Sequence, residues 1–323
     1  MQHEPLPLIL EPSIDQKQAV SISIVDFLEM DFPKRKMLLS PWLPEQGLAM
    51  VVAPRGIGKT FFGMNVAYAV AAGISYLGWE ASEPKPVLYI DGEMPATVMQ
   101  KRLADIAGST EKAAVDFELI TPDMQINKDR EYMSMPDLAT HEGQAELAAH
   151  TDRASLIVID NIATLCRTGK ENEGESWLAI QAWALGLRAR GKSVLFIHHT
   201  GKGGQQRGTS RREDVLDTVI SLSTPPDYNP KEGAKFQVKF TKSRGFYGED
   251  AAPLEVALTT DIDGSQLWAY SSLEESTFTR VVGLANDGLS QADIAKELDV
   301  HRSTVCRHFK KAKIDGLIKG ACQ

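Results

Sequence analysis

The stretch Arg55-Gly56-Ile57-Gly58-Lys59-Thr60 does most to limit what this chain can fold into. It follows the apolar run Leu48–Val52 and opens a segment, Lys59–Ala72, whose apolar spacing is helical and which stops at Gly73. A strand that turns into a helix through glycines leaves backbone N–H groups pointing outward at the positive end of the helix dipole, a cradle for phosphate. Counted from Ala53, the stretch fits the phosphate-loop pattern G-x-x-x-x-G-K-[ST], with alanine in the place of the first glycine. On this reading Arg55, Gly56, Ile57, Gly58, Lys59, Thr60 and Phe61 surround a nucleotide. Gly56 and Gly58 admit the close backbone approach that a Cβ would block. Lys59 reaches the β- and γ-phosphates and the Thr60 hydroxyl ligates a metal, so ATP and Mg²⁺ are the expected cofactors.

Further short apolar runs end in polar residues at Val87–Asp91, Leu156–Asp160, Val194–His198 and Val219–Leu222. Helical patterns lie between them, including Ala96–Ala107 and Ser176–Arg190. Strands alternating with helices predict an α/β fold, a mostly parallel sheet with helices on both faces. Phe236–Phe240, Leu254–Leu258 and Gln266–Tyr270 follow without helices between them and suggest an antiparallel extension. Residues 1–37 read as an N-terminal arm with one short helix at Val25–Met30, residues 38–272 as the main domain, and Leu273–Ser276 as a linker.

Two acidic positions complete the expected site. Asp160 closes a buried strand and would hold Mg²⁺ together with Thr60. Glu93, at the end of a strand expected to neighbour the phosphate loop, would polarise the attacking water, while Asp91 faces the metal shell or caps the strand. The order of these elements, followed by Phe196-Ile197-His198-His199-Thr200-Gly201-Lys202, resembles the RecA/DnaB superfamily of ATPases, and within it the RepA family of hexameric replicative helicases of plasmids. That resemblance covers about residues 38–257. It implies a RecA-like fold, a catalytic role for Glu93, and γ-phosphate sensing by His198 or His199. It also implies homo-oligomers such as hexamers, with Lys242 and Arg244 completing the ATP site of a neighbouring subunit. Lys202, Arg207, Arg211 and Arg212 would then face single-stranded DNA inside the ring.

Residues 277–323 change character. From His301 onward the charged residues are Arg302, Arg307, Lys310, Lys311, Lys313, Asp315 and Lys319, although the whole chain carries a net charge of −8. Phe278–Asn286, Ser290–Leu298 and Arg302–Lys313 read as three short helices, the second opened by the capping box Ser290-Gln291-Ala292-Asp293. Ile294, Leu298, Val300, Val305 and Phe309 are spaced to share a small core. This is the pattern of a helix-turn-helix domain. Arg302, Ser303, Thr304, Arg307 and His308 would lie at the start or outer face of the recognition helix. Arg302, Arg307, Lys310 and Lys311 would neutralise the phosphates of duplex DNA.

Composition narrows the setting. No apolar run is long enough for a membrane span, and Met1-Gln2-His3-Glu4-Pro5 does not open a secretory leader, so a cytoplasmic protein is expected. Cys166, Cys306 and Cys322 match no metal-ligand spacing and are expected as reduced thiols. Three functions fit: an oligomeric DNA motor of the RepA type acting in replication of a plasmid or other mobile element, an ATP-switched DNA-binding regulator or loader, and a signalling ATPase of the KaiC type. The helix-turn-helix disfavours the third.

Overall fold

The computed structural model describes residues 21–32, 34–108, 115–126, 129–168, 173–200, 213–226, 228–229, 233–261 and 266–318. The chain divides into two units, Met1–Lys34 and Arg35–Gln323. In the first, helix α1 (Ile24–Glu29) is capped by Ser23, whose hydroxyl accepts the Asp26 N–H at 3.1 Å. Its apolar side chains are exposed, and the rings of Phe27 and Phe32 lie 5.3 Å apart.

The second unit opens with a short antiparallel pair, β1 (Met37–Leu39) and β2 (Leu43–Pro44). There follow β3 (Leu48–Ala53), α2 (Lys59–Ala72), β4 (Val87–Asp91), α3 (Ala96–Ala107), β5 (Phe117–Ile120), α4 (His141–Glu146), α5 (Ala148–Arg153), β6 (Leu156–Asp160), α6 (Ile162–Leu165) and α7 (Glu173–Ala189). Next come β7 (Ser193–His199), β8 (Thr218–Ser223), β9 (Lys235–Ser243), β10 (Leu254–Thr260) and β11 (Gln266–Ser272). Three helices close the unit: α8 (Leu273–Asn286), α9 (Gln291–Glu297) and α10 (Arg302–Ile314).

Among the described residues nine strands form one sheet, in the order β11-β10-β9-β8-β3-β7-β6-β4-β5. Pairing is parallel from β8 through β5 and antiparallel from β8 through β11, the extension that the helix-free run predicts. Side chains alternate between two cores. Ala49 and Val51 of β3, Val158 of β6 and Ile197 of β7 join α2 on one face. Met50, Val52, Ile159 and Phe196 join α6 and α7 on the other. Both faces being covered, the parallel strands read as continuous apolar runs rather than alternating ones.

Strand order corrects one expectation. The strand that ends in Asp91 does not adjoin the phosphate-loop strand: it pairs with β6, and β7 separates β6 from β3. Chain order had suggested neighbours, but crossover connections let later strands insert between earlier ones.

A second correction concerns Leu273–Ser276, expected as a linker and found as the first turn of α8. β11 ends at Ser272, and the Ser272 hydroxyl immediately caps α8 by accepting the Glu275 N–H at 3.2 Å. Glu274 and Glu275 then suit the positive end of the helix dipole. The Leu273 N–H donates to the carbonyl of Pro253 at 2.8 Å. Val281 of α8 packs with Ile294, Leu298, Val305 and Phe309 in the core that the spacing foretold, and Ile318 closes against it. Ser290 and Asp293 form the expected cap, with the Asp293 N–H donating to the Ser290 hydroxyl at 3.3 Å. Among the described residues no helix is long and apolar enough to cross a membrane, and Cys166 and Cys306 are not joined in a disulfide.

The three-helix module is pinned to the sheet by an ion pair. Arg280 of α8 donates to both carboxylate oxygens of Glu255 on β10, at 2.6 and 2.7 Å, with side chains only 16% and 11% exposed. Removing one partner of a desolvated pair strands the other charge, at about 3 kcal/mol. Arg280→Ala should therefore accelerate amide hydrogen exchange in α8–α10 while leaving β3, β6 and β7 protected; unchanged exchange in the module would refute the pinning role.

Candidate nucleotide site

The register of four parallel strands gathers the site. Ala53 pairs with His199, Ile197 with Asp160, and Asp160 with Asp91, so the C-terminal ends of β3, β7, β6 and β4 share one edge of the sheet. Ligands of open α/β sheets bind at this edge. The phosphate loop leaves β3 there. Gly56 and Gly58 adopt φ values of 81° and 104°, open to glycine and strained for other residues, and the space where a Cβ on Gly56 would stand is empty to 4 Å.

Lys59, the first residue of α2, is buried, and its Nζ donates to the carbonyl of Pro54 at 2.6 Å. Burial lowers its pKa to about 8 against the opposing pull of Asp160 and Glu93, with Arg55 adding to the depression. Asp160 is buried, and desolvation drives its carboxyl upward; hydrogen bonds from Thr60 and Tyr89 and the charge of Lys59 oppose that rise. The Tyr89 hydroxyl donates to Asp160 Oδ2 at 2.8 Å. A hydroxyl and a buried carboxylate side by side are hard oxygen donors of the kind Mg²⁺ takes, and a cation between them would relieve the desolvated charge. The residues present thus fit Mg²⁺ as well as phosphate.

The two acids at the C-terminal end of β4 have separate surroundings. Asp91 is buried, and its Oδ2 accepts the N–H groups of Glu93 and Met94 at 3.0 and 2.6 Å, which commits this oxygen to the turn. Burial is the main cause that raises its pKa to about 6. Glu93 projects outward with its side chain 60% exposed, 3.8 Å from His199. The histidines divide likewise. His199 lies on the same strand parity as Leu195 and Ile197, toward α2, whereas His198 has the opposite parity and pairs in register with Val52. Of the two, His199 meets Glu93.

Sequence reasoning missed Asn161. It is 3% exposed and caps α6, its Oδ1 accepting the Thr164 N–H at 3.2 Å. Its Nδ2 donates to Glu93 Oε2 at 2.8 Å and lies 3.2 Å from His199 Nε2. The peptide joining Asp160 to Asn161 is cis. The signal available was a capping residue directly after the strand-end aspartate.

A cleft of about 680 Å³ opens beside Gly56–Gly58, between α3 (Lys101, Arg102) and the antiparallel strands (Lys235, Leu258, Gln266), away from Asp160 and Glu93. Phe61 stacks at a tilt on Trp268, with ring centroids 5.3 Å apart, beneath the Arg102 guanidinium. The Trp268 indole N–H donates to Asn65 Oδ1 at 3.1 Å, tying β11 to α2. Trp42 is fully buried in the core under α2.

Lys242 and Arg244 stand elsewhere. Lys242 pairs in register with Val219, itself opposite Met50, and the Arg244 N–H bonds the carbonyl of Asp217, whose own N–H bonds Leu48. Lys242 therefore sits at the row of Met50 and Arg244 near that of Leu48, three and five residues before the end of β3 at Ala53, about 10 and 16 Å along the strand. Lys242 donates to the carbonyls of Glu213 and Asp214, and Arg244 to that of Asp214 at 2.9 Å. Burial and the charge of Arg244 lower the pKa of Lys242. Lys202, Arg207, Arg211 and Arg212 lie outside the described residues.

On α10, Arg302, Ser303, Arg307, Lys310 and Lys311 are exposed and Thr304 is half-buried. His301 caps the helix through Nδ1, which accepts the Ser303 N–H at 3.2 Å. Arg307 pairs with Glu274 of α8 at 3.3 Å, and Lys311 lies over the Phe278 ring. His308, expected on the outer face, is buried against Phe278 instead. Its place one residue before Phe309 and three after Val305 puts it on the core side of the helix.

Residues 15–205 match the family described as AAA domain, and residues 279–318 match the one described as homeodomain-like domain. Among solved structures, the chain is similar to the KaiC-like protein PH0186 from the hyperthermophilic archaeon Pyrococcus horikoshii OT3. That alignment has 15% identity and a TM-score of 0.48, and covers 73% of this chain and 99% of that one. It is also similar to the flagellar accessory protein FlaH from Methanocaldococcus jannaschii, at 13% identity and a TM-score of 0.45, covering 70% and 90%.

The depressed pKa of Lys59 has a thermodynamic signature. A bound phosphate restores the ammonium, so binding must draw protons from solution where the free side chain is partly neutral. Calorimetry of Mg·ATP binding in buffers of different ionisation enthalpy should show proton uptake that grows from pH 7 to pH 8, where about half of Lys59 is neutral, while release from Asp91 and Asp160 on meeting the cation opposes it most at the lower pH. Uptake that does not grow over this range would contradict the placement of Lys59.

Proposed function

The chain belongs to the AAA domain family, a P-loop ATPase with a C-terminal helix-turn-helix, and on that premise we propose that it is an oligomeric, ATP-hydrolysing DNA motor of the RepA-like helicase type. The observation that carries this reading is the separation of its cations: Lys59 stands at the edge where the phosphate loop leaves β3, whereas Lys242 and Arg244 turn the other way, to the carbonyls of Glu213 and Asp214. A subunit that cannot bring its own Arg244 to its own phosphate loop can offer it to a neighbour's. Replication of a plasmid or other mobile element is the setting this reading assigns.

In the proposed mechanism, N–H groups of Gly56 to Thr60 wrap the phosphates and Lys59 meets the β- and γ-oxygens. Thr60 and Asp160 hold Mg²⁺, which when bound neutralises phosphate charge. Glu93 orients the attacking water and accepts its proton. His199 registers the γ-phosphate. Arg55, Ile57 and Phe61 line the path toward the cleft that takes the nucleoside. Lys242 and Arg244 of an adjacent copy stabilise the transferred phosphoryl, a contribution worth about 10³–10⁵ in rate. Residues 38–272 serve as the motor and residues 277–323 as the duplex-binding domain, with Arg302, Ser303, Thr304, Arg307, Lys310 and Lys311 facing DNA. The loop bearing Lys202, Arg207, Arg211 and Arg212 faces single-stranded DNA.

One observation favours a second reading, an ATP-switched regulator or loader without unwinding. Arg280 fixes the helix-turn-helix to the sheet, so a duplex-reading surface moves with the ATPase core. Strand displacement with ATP, run beside hydrolysis with and without single-stranded DNA, separates the two. DNA-stimulated hydrolysis without displacement would select the regulator.

Two predictions test the parts. Arg244→Ala should suppress turnover, and mixing it with Lys59→Ala should restore part of it, because some interfaces then join an intact phosphate loop to an intact Arg244. No recovery in mixtures shown to co-assemble would rule out action in trans. Because deletion from Thr277 would cut through α8 after its first turn, the DNA surface is better tested by substitution. Arg302→Ala, Lys310→Ala and Lys311→Ala together should leave basal hydrolysis unchanged. Each lost phosphate contact should lower the slope of log duplex affinity against log salt by about 0.9. An unaltered slope, read by fluorescence anisotropy, would make the module a docking domain.

A further inference from the structure

We infer that Asn161 is the positioning residue that sets the carboxylate of Glu93 for water attack and ties its orientation to His199. The inference rests on the reading of Glu93 given above. The amide cannot be turned over. Its Oδ1 accepts the Thr164 N–H at 3.2 Å, which places Nδ2 against Glu93 Oε2 at 2.8 Å and His199 Nε2 at 3.2 Å. Flipped, it would set an oxygen against a carboxylate oxygen and an N–H against an N–H.

The two N–H bonds of that amide have separate uses. One holds a single oxygen of Glu93, leaving Oε1 for a water molecule. The other points at His199 Nε2, which accepts it when the ring is neutral and carries its proton on Nδ1, a buried atom without a hydrogen-bond partner among the described residues. Burial and the charges of Lys59 and Arg55 favour the neutral ring, and Glu93 opposes them. Glu93 is otherwise unconstrained: its side chain is 60% exposed, and Asp91 is engaged with the turn backbone. Asn161, at 3% exposure, is the rigid element of the three. A γ-phosphate that draws His199 away frees one amide N–H and changes how firmly Glu93 is held. Phosphate sensing and base orientation become one event, through one side chain.

The isosteric change Asn161→Asp separates this role from a structural one. It keeps an oxygen to cap α6, since aspartate caps helices as well as asparagine, and replaces the donor by an acceptor. The full-length protein should keep its melting temperature and bind a fluorescent ATP analogue within about threefold of wild type, while kcat falls about 10- to 100-fold. Asn161→Ser, which also caps but is too short to reach Glu93, should behave alike and serves if the first variant does not fold. Combined with Glu93→Gln and followed in single turnovers, Asn161→Asp should cost nothing further, because it acts through Glu93. Wild-type turnover in both Asn161 variants would overturn the inference, as would an equal loss in the Glu93→Gln background. If Glu93→Gln alone turns over normally, the reading of Glu93 itself is wrong and the inference falls with it.

Discussion

Helix α2 has to satisfy two opposed demands. It is apolar around most of its circumference, so it must be buried on nearly every side, yet its first turn must stay open to a phosphate. The fold answers by laying α2 along the sheet with its N-terminus at the strand ends. Gly63 lets it come close: a Cβ there would stand 3.1 Å from Ile197 and 3.3 Å from the Tyr89 hydroxyl. At the far end Gly73, at φ 66°, turns the chain under Pro84. The remaining site elements take their positions from this one. Tyr89 reaches past α2 to Asp160, and Trp268 grips Asn65 from the antiparallel side.

Burying α2 at the strand ends also creates the electrostatics. Lys59, Asp91 and Asp160 are all taken from water at one edge of the sheet, where Asp91 and Asp160 pair in register and Asp160 feels the charge of Lys59. Each has its pKa moved toward neutrality by desolvation, Lys59 downward and the acids upward. Charges held this way are costly alone and favourable with a counter-charge, so the site is built for a ligand that carries both anionic phosphate and a cation. Glu93 escapes the cost by standing in solvent, and for that reason needs Asn161 to orient it.

What could be read from the chain alone was what is local. The phosphate loop and its helix came through to the residue, as did β4 and β6, because turn, cap and apolar run are adjacent in sequence. The core of the helix-turn-helix was legible from Ile294, Val305 and Phe309 for the same reason. Strand order was not, since the insertion of β7 between β3 and β6 is decided by packing across the sheet. Asn161 was hidden because its partners lie 68 and 38 residues away. Leu273–Ser276 looked like a linker because its helical character depends on the cap from Ser272, which lay outside both the expected strand Gln266–Tyr270 and the expected helix. His308 looked like a surface residue until Phe278 was seen to cover it.

The absence of slack at Ser272 has a mechanical meaning. Strand β11 passes into α8 with no intervening loop, and its other contacts run to the phosphate-loop helix through Trp268. A tether would let the three-helix module rotate freely. Here a torque on α10 is borne by the Arg280–Glu255 pair and the β10–β11 hairpin, and through Trp268 it reaches Phe61 and Asn65, in the first and second turns of the helix that begins at Lys59. A load on α10 is therefore a load on the helix that carries Lys59, and the two ends of the unit share one mechanical path.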